Sequence, residues 1–226
     1  MGSPGNNLSS VMARSKSSAR WLREHFDDPW VKKAQSDGLR ARSAYKLDEL
    51  VDRDGLLWPG MTVVDLGAAP GGWSQLVRER LDGQCTLFAL DILPMQPIAG
   101  VDFVCGDFRE QHVLNELEAR LGQRRVDLVL SDMAPNMSGV AVSDQARSMD
   151  LAELAADFAA HWLKPDGNFV VKLFHGVGFD QYVRDLRAAY KRVIMRKPEA
   201  SRARSREVYA LALGLKMPAA SQEEQE

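Results

Sequence analysis

The sequence predicts an α/β domain with a mostly parallel, doubly wound β-sheet. Three observations support this fold class: short apolar strand segments alternate with amphipathic helical segments, a glycine-rich turn follows the first strand, and the last two strands have no long helix between them. Strands that alternate with helices are joined by right-handed crossovers and run parallel. The 226 residues, of which 45% are apolar and 27% charged, fit one globular domain and exclude a disordered chain.

Seven strands and five helices are predicted. In chain order the strands cover 61–65, 86–91, 101–105, 126–131, 168–172, 193–195 and 208–213. The helices cover 43–50, 73–81, 113–121, 151–162 and 182–190.

Turn residues and caps delimit the amino-terminal elements. Ser43 is a candidate N-cap for the first helix, because serine side chains accept hydrogen bonds from the first free N–H groups. The turn Trp58-Pro-Gly60 precedes the β-branched strand 61–65, and a second Gly/Pro-rich turn leads into helix 73–81. Apolar runs at 86–91 and 101–105 then predict the second and third strands.

Periodicity and turns define the carboxyl-terminal elements. Strand 126–131 is apolar at adjacent positions, which is typical of a strand buried on both faces. Apolar residues recur at spacings of three and four in helix 151–162, and the turn Lys164-Pro-Asp-Gly167 ends it. Strands 193–195 and 208–213 lie close in sequence, so they are predicted to pair antiparallel.

The chain is predicted to divide into three parts. Residues 1–11 carry no charge and are rich in Gly, Ser and Asn, which indicates a flexible leader. A single domain follows over 12–216 with a basic amino-terminal extension at 12–46, and 217–226 form a disordered acidic tail. No apolar run approaches the roughly 18 residues of a membrane span, and no secretory signal is present.

Cysteine and histidine usage favours a cytoplasmic protein without a metal site. Cys85 and Cys105 lie in apolar stretches and are interpreted as reduced core residues. The four histidines have no metal-ligand spacing, which argues against zinc. The polar ends offer no coiled-coil stripe, so a monomer is favoured.

Charge is distributed unevenly along the chain. The net charge is −2, yet 12–46 carry +5 and 184–206 carry +7, so the remaining body is acidic. Two basic segments on an acidic body are consistent with binding to a polyanion such as a nucleic acid. Solvated helix and loop faces would give the same pattern, and charge alone does not separate the two interpretations.

A glycine-rich turn and three acidic residues point to a ligand site at one edge of the sheet. The first strand ends in Asp65-Leu-Gly-Ala-Ala-Pro-Gly-Gly-Trp73, which lacks both the dinucleotide fingerprint and a P-loop lysine. Asp91, Asp107 and Asp132 each follow a strand at the same edge. Each of them alone could be a helix cap or turn former.

Together these acids predict a cationic, adenosine-bearing cofactor without phosphates. Asp91 lies at the sequence separation from the glycine-rich turn at which an acid can bind ribose hydroxyls. Asp107 could contact the adenine. Carboxylates also stabilise a nearby sulfonium. S-adenosylmethionine is therefore the predicted cofactor.

The chain resembles the FtsJ-like ribosomal RNA 2'-O-methyltransferases over about 12–216, nearly its whole length. The resemblance implies a Rossmann-like, S-adenosylmethionine-dependent methyltransferase fold with an antiparallel C-terminal strand. It rests on four segments: Asp65-Leu-Gly-Ala-Ala-Pro-Gly-Gly-Trp-Ser74, Ser131-Asp-Met-Ala-Pro-Asn136, Val171-Lys-Leu-Phe174 and Ser201-Arg-Ala-Arg-Ser-Arg-Glu-Val-Tyr209.

The resemblance also implies the site residues. The family's Lys-Asp-Lys-Glu catalytic tetrad falls on matching positions, and no member is substituted. These positions are Lys46, Asp132, Lys172 and Glu207. The family's cofactor contacts fall on Gly71, Trp73, Asp91, Asp107 and Asp132.

Two roles for Lys172 remain open at this stage. Methyl transfer to a hydroxyl is an in-line displacement, and the hydroxyl must lose its proton during or just after attack. By analogy with the family, a neutral Lys172 would accept that proton. Alternatively, Lys172 and Lys46 as ammonium groups would orient the hydroxyl and stabilise the developing alkoxide.

The basic segments supply candidate RNA contacts that lead into the tetrad. Phosphate contacts would position an RNA strand without reading its sequence. The candidates are Arg14, Lys16, Arg20, Arg23, Lys32, Lys33, Arg40, Arg42, Arg196, Lys197, Arg202, Arg204 and Arg206. Candidate stacking aromatics are Trp21, Phe26, Trp30 and Tyr45, although such residues more often belong to a core.

The expected function is 2'-O-methylation of a uridine ribose in 23S rRNA, within an assembling 50S particle. The same reaction on tRNA or an mRNA cap is the alternative, since composition does not separate these substrates. An RNA-binding assembly factor without catalysis would require a damaged tetrad. A nicotinamide dehydrogenase is disfavoured because the phosphate-binding fingerprint is absent.

Overall fold

The computed structural model describes residues 28–202 and 204–217, which form a seven-stranded sheet covered by helices. The strands are β1 (Thr62–Leu66), β2 (Thr86–Asp91), β3 (Val101–Cys105), β4 (Val126–Ser131), β5 (Leu163–Phe174), β6 (Tyr190–Arg196) and β7 (Glu207–Leu215). The helices are α1 (Pro29–Ser36), α2 (Ser43–Asp54), α3 (Gly72–Arg80), α4 (Gln111–Leu121), α5 (Ala141–Trp162) and α6 (Phe179–Ala189). The predicted leader and all but the first residue of the predicted tail lie outside the described residues.

The sheet topology confirms the predicted fold class. Strands lie in the order β3-β2-β1-β4-β5-β7-β6, and β1 to β5 pair in parallel. The last strand, β7, runs antiparallel to both β5 and β6. The chain direction across the sheet reverses between β1 and β4, and ligands of such sheets bind beyond the carboxyl ends of the strands at this point.

Each face of the sheet packs against a different set of helices. One core cluster joins the sheet to α4, α5 and α6, with Leu117, Phe158 and Leu186 among its buried members. The other cluster joins it to α2 and α3, where Leu47 and Trp73 are buried. The side chains of β1 to β5 alternate between the two clusters, because successive residues of a strand point to opposite faces.

Helix α2 begins at Ser43 as predicted, but Ser43 does not have the predicted cap role. Ser43 is its first residue rather than its N-cap, and Arg42 occupies the cap position without a side-chain cap bond. The Ser43 carbonyl instead accepts a hydrogen bond from Nε1 of Trp73 at 2.8 Å. The register of α2 is therefore set by tertiary contact with α3.

Helix α5 is ten residues longer at its amino end than the apolar period indicates. Its first turns bury the polar residues Asp144 and Gln145, which bond to neighbouring loops. No apolar stripe marks them in the sequence. The helix ends at Trp162, just before the predicted turn, and 164–167 form the irregular start of β5 with Asp166 at φ +65°.

The prediction that both cysteines are core residues is wrong for Cys105, which is exposed. Cys85 is half-buried and packs against the core cluster of α2 and α3. Cys105 ends β3, one of the two edge strands of the sheet, so among the described residues β3 pairs with a strand on one side alone. The apolar run around Cys105 did not reveal that the strand lies at an edge.

Replacing Leu47 with alanine is expected to lower the free energy of unfolding by roughly 2–5 kcal/mol, because the side chain is fully buried under the sheet. Urea denaturation measures this change. Leu154→Ala serves as control, since Leu154 is 36% exposed on α5 and its loss should cost under about 1 kcal/mol. Equal losses in the two variants would contradict the packing of α2.

Candidate active site

The four residues of the implied tetrad converge at the carboxyl edge of the central strands. Asp132 directly follows β4, and Lys172 lies on β5 opposite Tyr209 of β7. Glu207 is two residues before Tyr209, so both side chains share the face of the sheet that α2 covers. Lys46 reaches this face from α2.

Lys46 and Glu207 form one ion pair of the site. The Lys46 Nζ donates to Glu207 Oε1 at 2.5 Å. Their side chains are only 10% and 14% exposed, so the pair is largely removed from water. A pair at this depth depends on both partners, because removal of one leaves a buried, uncompensated charge.

Lys172 and Asp132 form the second ion pair. The Lys172 Nζ lies 3.0 Å from Asp132 Oδ1 and also donates to the Asp132 backbone carbonyl at 2.5 Å. The Lys172 side chain is 9% exposed. Two contacts to one residue fix the direction of the lysine and leave one tetrahedral position at Nζ for another group.

Tyr209 connects the two pairs, and sequence reasoning did not single it out. Its hydroxyl donates to Asp132 Oδ1 at 2.8 Å and lies 3.4 Å from Lys46 Nζ, which donates to it. The available signal was its place in the last matching segment, two residues after Glu207 and therefore on the same face of a strand. The chain of contacts runs Glu207, Lys46, Tyr209, Asp132, Lys172.

The tyrosine hydroxyl stays protonated in this network. Tyr209 is fully buried, and burial raises the pKa of its phenol well above 10, as do the nearby Asp132 and Glu207 carboxylates. A neutral phenol can donate to Asp132 while accepting from Lys46. Tyr209 therefore relays hydrogen bonds between the two pairs without adding charge.

A cavity of about 430 Å³ opens beside Asp132 at the same edge. It extends from the ends of β1 and β2 to the first turns of α5. Its lining includes Gly67, Ala69, Asp91, Asp107, Asp132, Asn136, Arg147 and Asp150. Three of the five predicted cofactor contacts, the three aspartates, therefore lie on one cavity.

Asp91 and Asp107 stand in different electrostatic environments. Asp91 accepts from the backbone N–H groups of Ala69 and Leu93, each at 2.8 Å, and burial raises its pKa. Asp107 accepts from the Arg109 guanidinium at 2.5 Å, and this hydrogen bond lowers the pKa of Asp107. Asp91 thus orders the glycine-rich turn, while Asp107 is held by an exposed arginine at the cavity mouth.

The other two predicted cofactor contacts, Gly71 and Trp73, are not among the residues that line this cavity. Gly71 has φ +103° at the N-cap of α3, and a Cβ there would lie 2.8 Å from Ile98 Cδ1. Trp73 is 2% exposed and packs against the ring of Tyr209, with centroids 5.7 Å apart. Gly71 therefore contributes to the glycine-rich turn, and Trp73 contributes packing against Tyr209.

Asp65 is a buried acid that the motif contains but sequence reasoning gave no role. It is fully buried on β1, accepts from the Ser74 hydroxyl at 2.7 Å, and its Oδ1 has no hydrogen-bond partner. Burial raises its pKa to about 7, the Ser74 hydrogen bond opposes this, and the negative charges of Asp132 and Asp91 add to it.

Many of the basic residues proposed for RNA contact bond within the protein. Arg40 donates to the carbonyls of Pro70, Gln96 and Pro97, which border the glycine-rich turn. Arg42 and Arg202 pair with Asp28, and Arg196 pairs with Asp54. The candidates Arg14, Lys16, Arg20, Arg23, Trp21 and Phe26 lie outside the described residues.

Two of the four candidate stacking aromatics form a contact beside Lys46. The rings of Trp30 and Tyr45 lie 5.1 Å apart, and Lys33 Nζ lies 4.6 Å from the Tyr45 ring centre. The Tyr45 hydroxyl donates to Asp37. These residues therefore link α1 to α2 near the tetrad.

Residues 28–202 and 204–217 contain neither a metal-binding cluster nor a membrane-spanning helix. In these ranges no group of three or more His, Cys, Asp or Glu side chains could hold a metal ion. Within the same ranges no helix is long and apolar enough to cross a membrane.

Comparison with known proteins places the chain in one family. The family of FtsJ-like methyltransferases matches residues 39–215. A protein named Ribosomal RNA large subunit methyltransferase E from Stenotrophomonas maltophilia is 64% identical over 204 residues, covering 90% of this chain and 97% of that protein. A protein of the same name from Xanthomonas euvesicatoria is 63% identical over 202 residues, covering 89% and 96% of the two chains.

A solved structure agrees with these sequence matches. A crystal structure described as a ribosomal RNA methyltransferase from Plasmodium falciparum superimposes with a TM-score of 0.72 at 26% identity, covering 79% of this chain and all of that one. The fold and the site thus define a methyltransferase of the Rossmann-like α/β class. Within that class, the chain belongs to the FtsJ-like methyltransferase family.

Replacing Asp65 with asparagine is expected to stabilise the protein at pH 8 much more than at pH 5, because only part of the cost of ionising the buried carboxyl is present at pH 5. The folded-state pKa of about 7 exceeds the unfolded value of 3.8, so the folded state binds more protons and stability falls as pH rises between them. The largest gain is about 4 kcal/mol, since one pKa unit corresponds to about 1.4 kcal/mol. Urea denaturation at both pH values measures it.

Asp52→Asn is the matched control, because the Asp52 side chain is 62% exposed. Its effect on the free energy of unfolding should be small. A gain for Asp65→Asn that does not depend on pH would show that burial does not raise the pKa of this carboxyl.

Proposed function

We propose that this protein transfers a methyl group from S-adenosylmethionine to the 2'-hydroxyl of a uridine ribose in 23S rRNA, during assembly of the large ribosomal subunit. The observation that carries the proposal is the continuous contact chain of Lys46, Asp132, Lys172 and Glu207 through Tyr209, beside an acid-lined cavity. The names of the 63–64% identical relatives support large-subunit rRNA as the substrate.

The residues of the cavity fit S-adenosylmethionine by their chemistry. Backbone atoms of Gly67 and Ala69 and the carboxylates of Asp91 and Asp107 offer polar partners to an adenosine. Asp132 offers negative charge to a sulfonium or ammonium. The two cavity arginines, Arg109 and Arg147, are each paired with an aspartate rather than presented to a phosphate. When bound, the cofactor supplies an electrophilic methyl group.

The tetrad would hold the acceptor hydroxyl for in-line attack. A new carbon–oxygen bond forms as the carbon–sulfur bond breaks, the electron pair of that bond stays on sulfur, and the hydroxyl proton leaves. Most of the rate gain in such a step comes from positioning. The free tetrahedral position at Lys172 Nζ is the place for this oxygen, because Asp132 occupies the other two contacts.

The protonation state of Lys172 determines whether the free position at Nζ accepts a proton or donates a hydrogen bond. A neutral amine keeps two N–H contacts to Asp132 and turns its lone pair toward the hydroxyl proton. An ammonium turns a third N–H toward the oxygen. We propose the first role, with Lys172 as proton acceptor, because the acceptor hydroxyl must lose its proton during the transfer. Lys46, paired with Glu207, would hold the ribose side of the site.

Replacing Lys172 with alanine is expected to lower the rate of methyl transfer at least a hundredfold, because a positioned proton acceptor contributes about that much or more. Cofactor affinity, measured by calorimetric titration, should change little. Lys172→Arg keeps the charge without an available lone pair, so it should be as inactive as the alanine variant. Substantial activity of Lys172→Arg would assign the electrostatic role instead, and near-normal turnover of Lys172→Ala would remove Lys172 from the mechanism.

Replacing Asp132 with alanine should lower both activity and cofactor affinity, since Asp132 lines the cavity and holds Lys172 and Tyr209. Calorimetry and single-turnover methyl transfer measure the two effects separately. Glu207→Gln is the comparison variant, because Glu207 belongs to the tetrad but does not line the cavity. It should lose activity and keep affinity. An unchanged cofactor affinity of Asp132→Ala would contradict its double role.

The substrate is tested with radiolabelled cofactor. Large ribosomal subunits, free rRNA and tRNA are each incubated with the enzyme, and the labelled nucleoside is identified after nuclease digestion. Label in a 2'-O-methylated uridine of large-subunit rRNA supports the proposal. Label in tRNA alone, or on a base rather than a ribose, would overturn the proposed substrate.

A further inference from the structure

Two loops beside the tetrad expose apolar side chains that the methyl-transfer site does not use. They are residues 133–140, which follow β4, and residues 175–178, which follow β5. Met137 is 64% exposed, Val140 61% and Val177 86%. With the exposed His175, these residues are here called the rim.

The backbone of both loops is fixed by one turn of α5. Asp144 accepts hydrogen bonds from the backbone N–H groups of Ser138 and Gly139, at 2.8 and 3.0 Å. Its neighbour Gln145 donates to the Val177 carbonyl at 3.1 Å. Asp144 and Gln145 are both buried. The apolar side chains are therefore exposed on ordered loops, which is a mark of an interaction site.

The rim lies within one nucleotide's reach of the acceptor position. Residues 133–136 line the cavity, and Met137 is the next residue along the chain. His175 lies three residues beyond Lys172, which is at most about 11 Å of extended chain. A ribose held at Lys172 carries its base only a few ångströms away. These two loops are therefore within reach of the base.

The side chains of the rim suit a nucleobase. Unpaired RNA bases stack on histidine and other aromatic side chains. The exposed side chains of Met137 and Val177 offer apolar contact area beside the His175 ring. The His175 ring packs on Phe179 with ring centres 4.4 Å apart, which gives it a defined flat surface. The exposed Arg206 is next to it, because the His175 N–H donates to the Arg206 carbonyl at 3.1 Å. A cation at this point suits the adjoining phosphate.

We propose that the rim binds the nucleobase of the target nucleotide, unstacked from its neighbours, and so selects RNA that is unpaired at the methylated position. This inference rests on the proposed function and specifies how the substrate is held. A protein partner is disfavoured by size, since a stable protein interface covers about 800 Å² per partner and the rim consists of four side chains.

The test is methyl transfer by the double variant Met137→Ser with Val177→Ser, using large ribosomal subunits as substrate. Removing these two apolar contacts to the base should raise KM for the subunits about tenfold. Cofactor affinity should not change. Trp58→Ser is the control, because Trp58 is 40% exposed at the opposite edge, before β1, and its KM should match the wild type.

A photo-crosslinking residue at position 177 identifies what the rim touches. A crosslink to the methylated nucleotide or its neighbour supports the proposal, whereas a crosslink only to a ribosomal protein or a second copy of the chain overturns it. If the wild-type enzyme is active and the double variant keeps the wild-type KM, the proposal is also overturned. A wild-type enzyme that transfers no methyl group to ribose would instead overturn the proposed function, and the role of the rim with it.

Discussion

The antiparallel pairing of β7 with β5 is the constraint on which the site depends. It sets Tyr209 opposite Lys172 and places Glu207 on the same face, within reach of Lys46. Because side chains alternate along a strand, a slip of one residue would turn Glu207 and Tyr209 to the other face. The strands β1 to β5 all run parallel. The opposite direction of β7 therefore brings Glu207 to the same edge of the sheet as Lys172.

The charges of the site are arranged in pairs rather than as isolated groups. Each buried lysine faces one carboxylate, and the neutral phenol of Tyr209 joins the pairs. Buried ion pairs seldom add stability over apolar packing, so their presence here is better explained by chemistry than by folding. Asp65 is the exception, since no cation is among the groups that shift its pKa and burial keeps that pKa high. Asp65 lies on β1, in the same sheet as the paired residues Lys172 and Glu207.

The basic residues counted in the sequence have two different uses. Arg40 and Arg42 bond to carbonyls and acids of the protein, and thereby join the segment before α2 to the glycine-rich turn and to the loop before β7. Arg196 does the same for α2 and β6. Net charge along the chain therefore overstates the surface available to RNA. The exposed rim, which the distribution of charge does not reveal, lies on the loops that follow β4 and β5.

The sequence alone determined the alternation of strands and helices and the antiparallel end of the sheet, because period and turn residues are local properties. It supplied the tetrad only as candidates, through short motifs that resemble those of a family. It did not determine the start of α5, the exposure of Cys105 or the role of Tyr209. These depend on which strand lies at an edge, which loop a polar side chain reaches and which residues face each other across β5 and β7. Many of these contacts join residues far apart in the chain, up to 161 positions for Lys46 and Glu207, and only tertiary packing decides them.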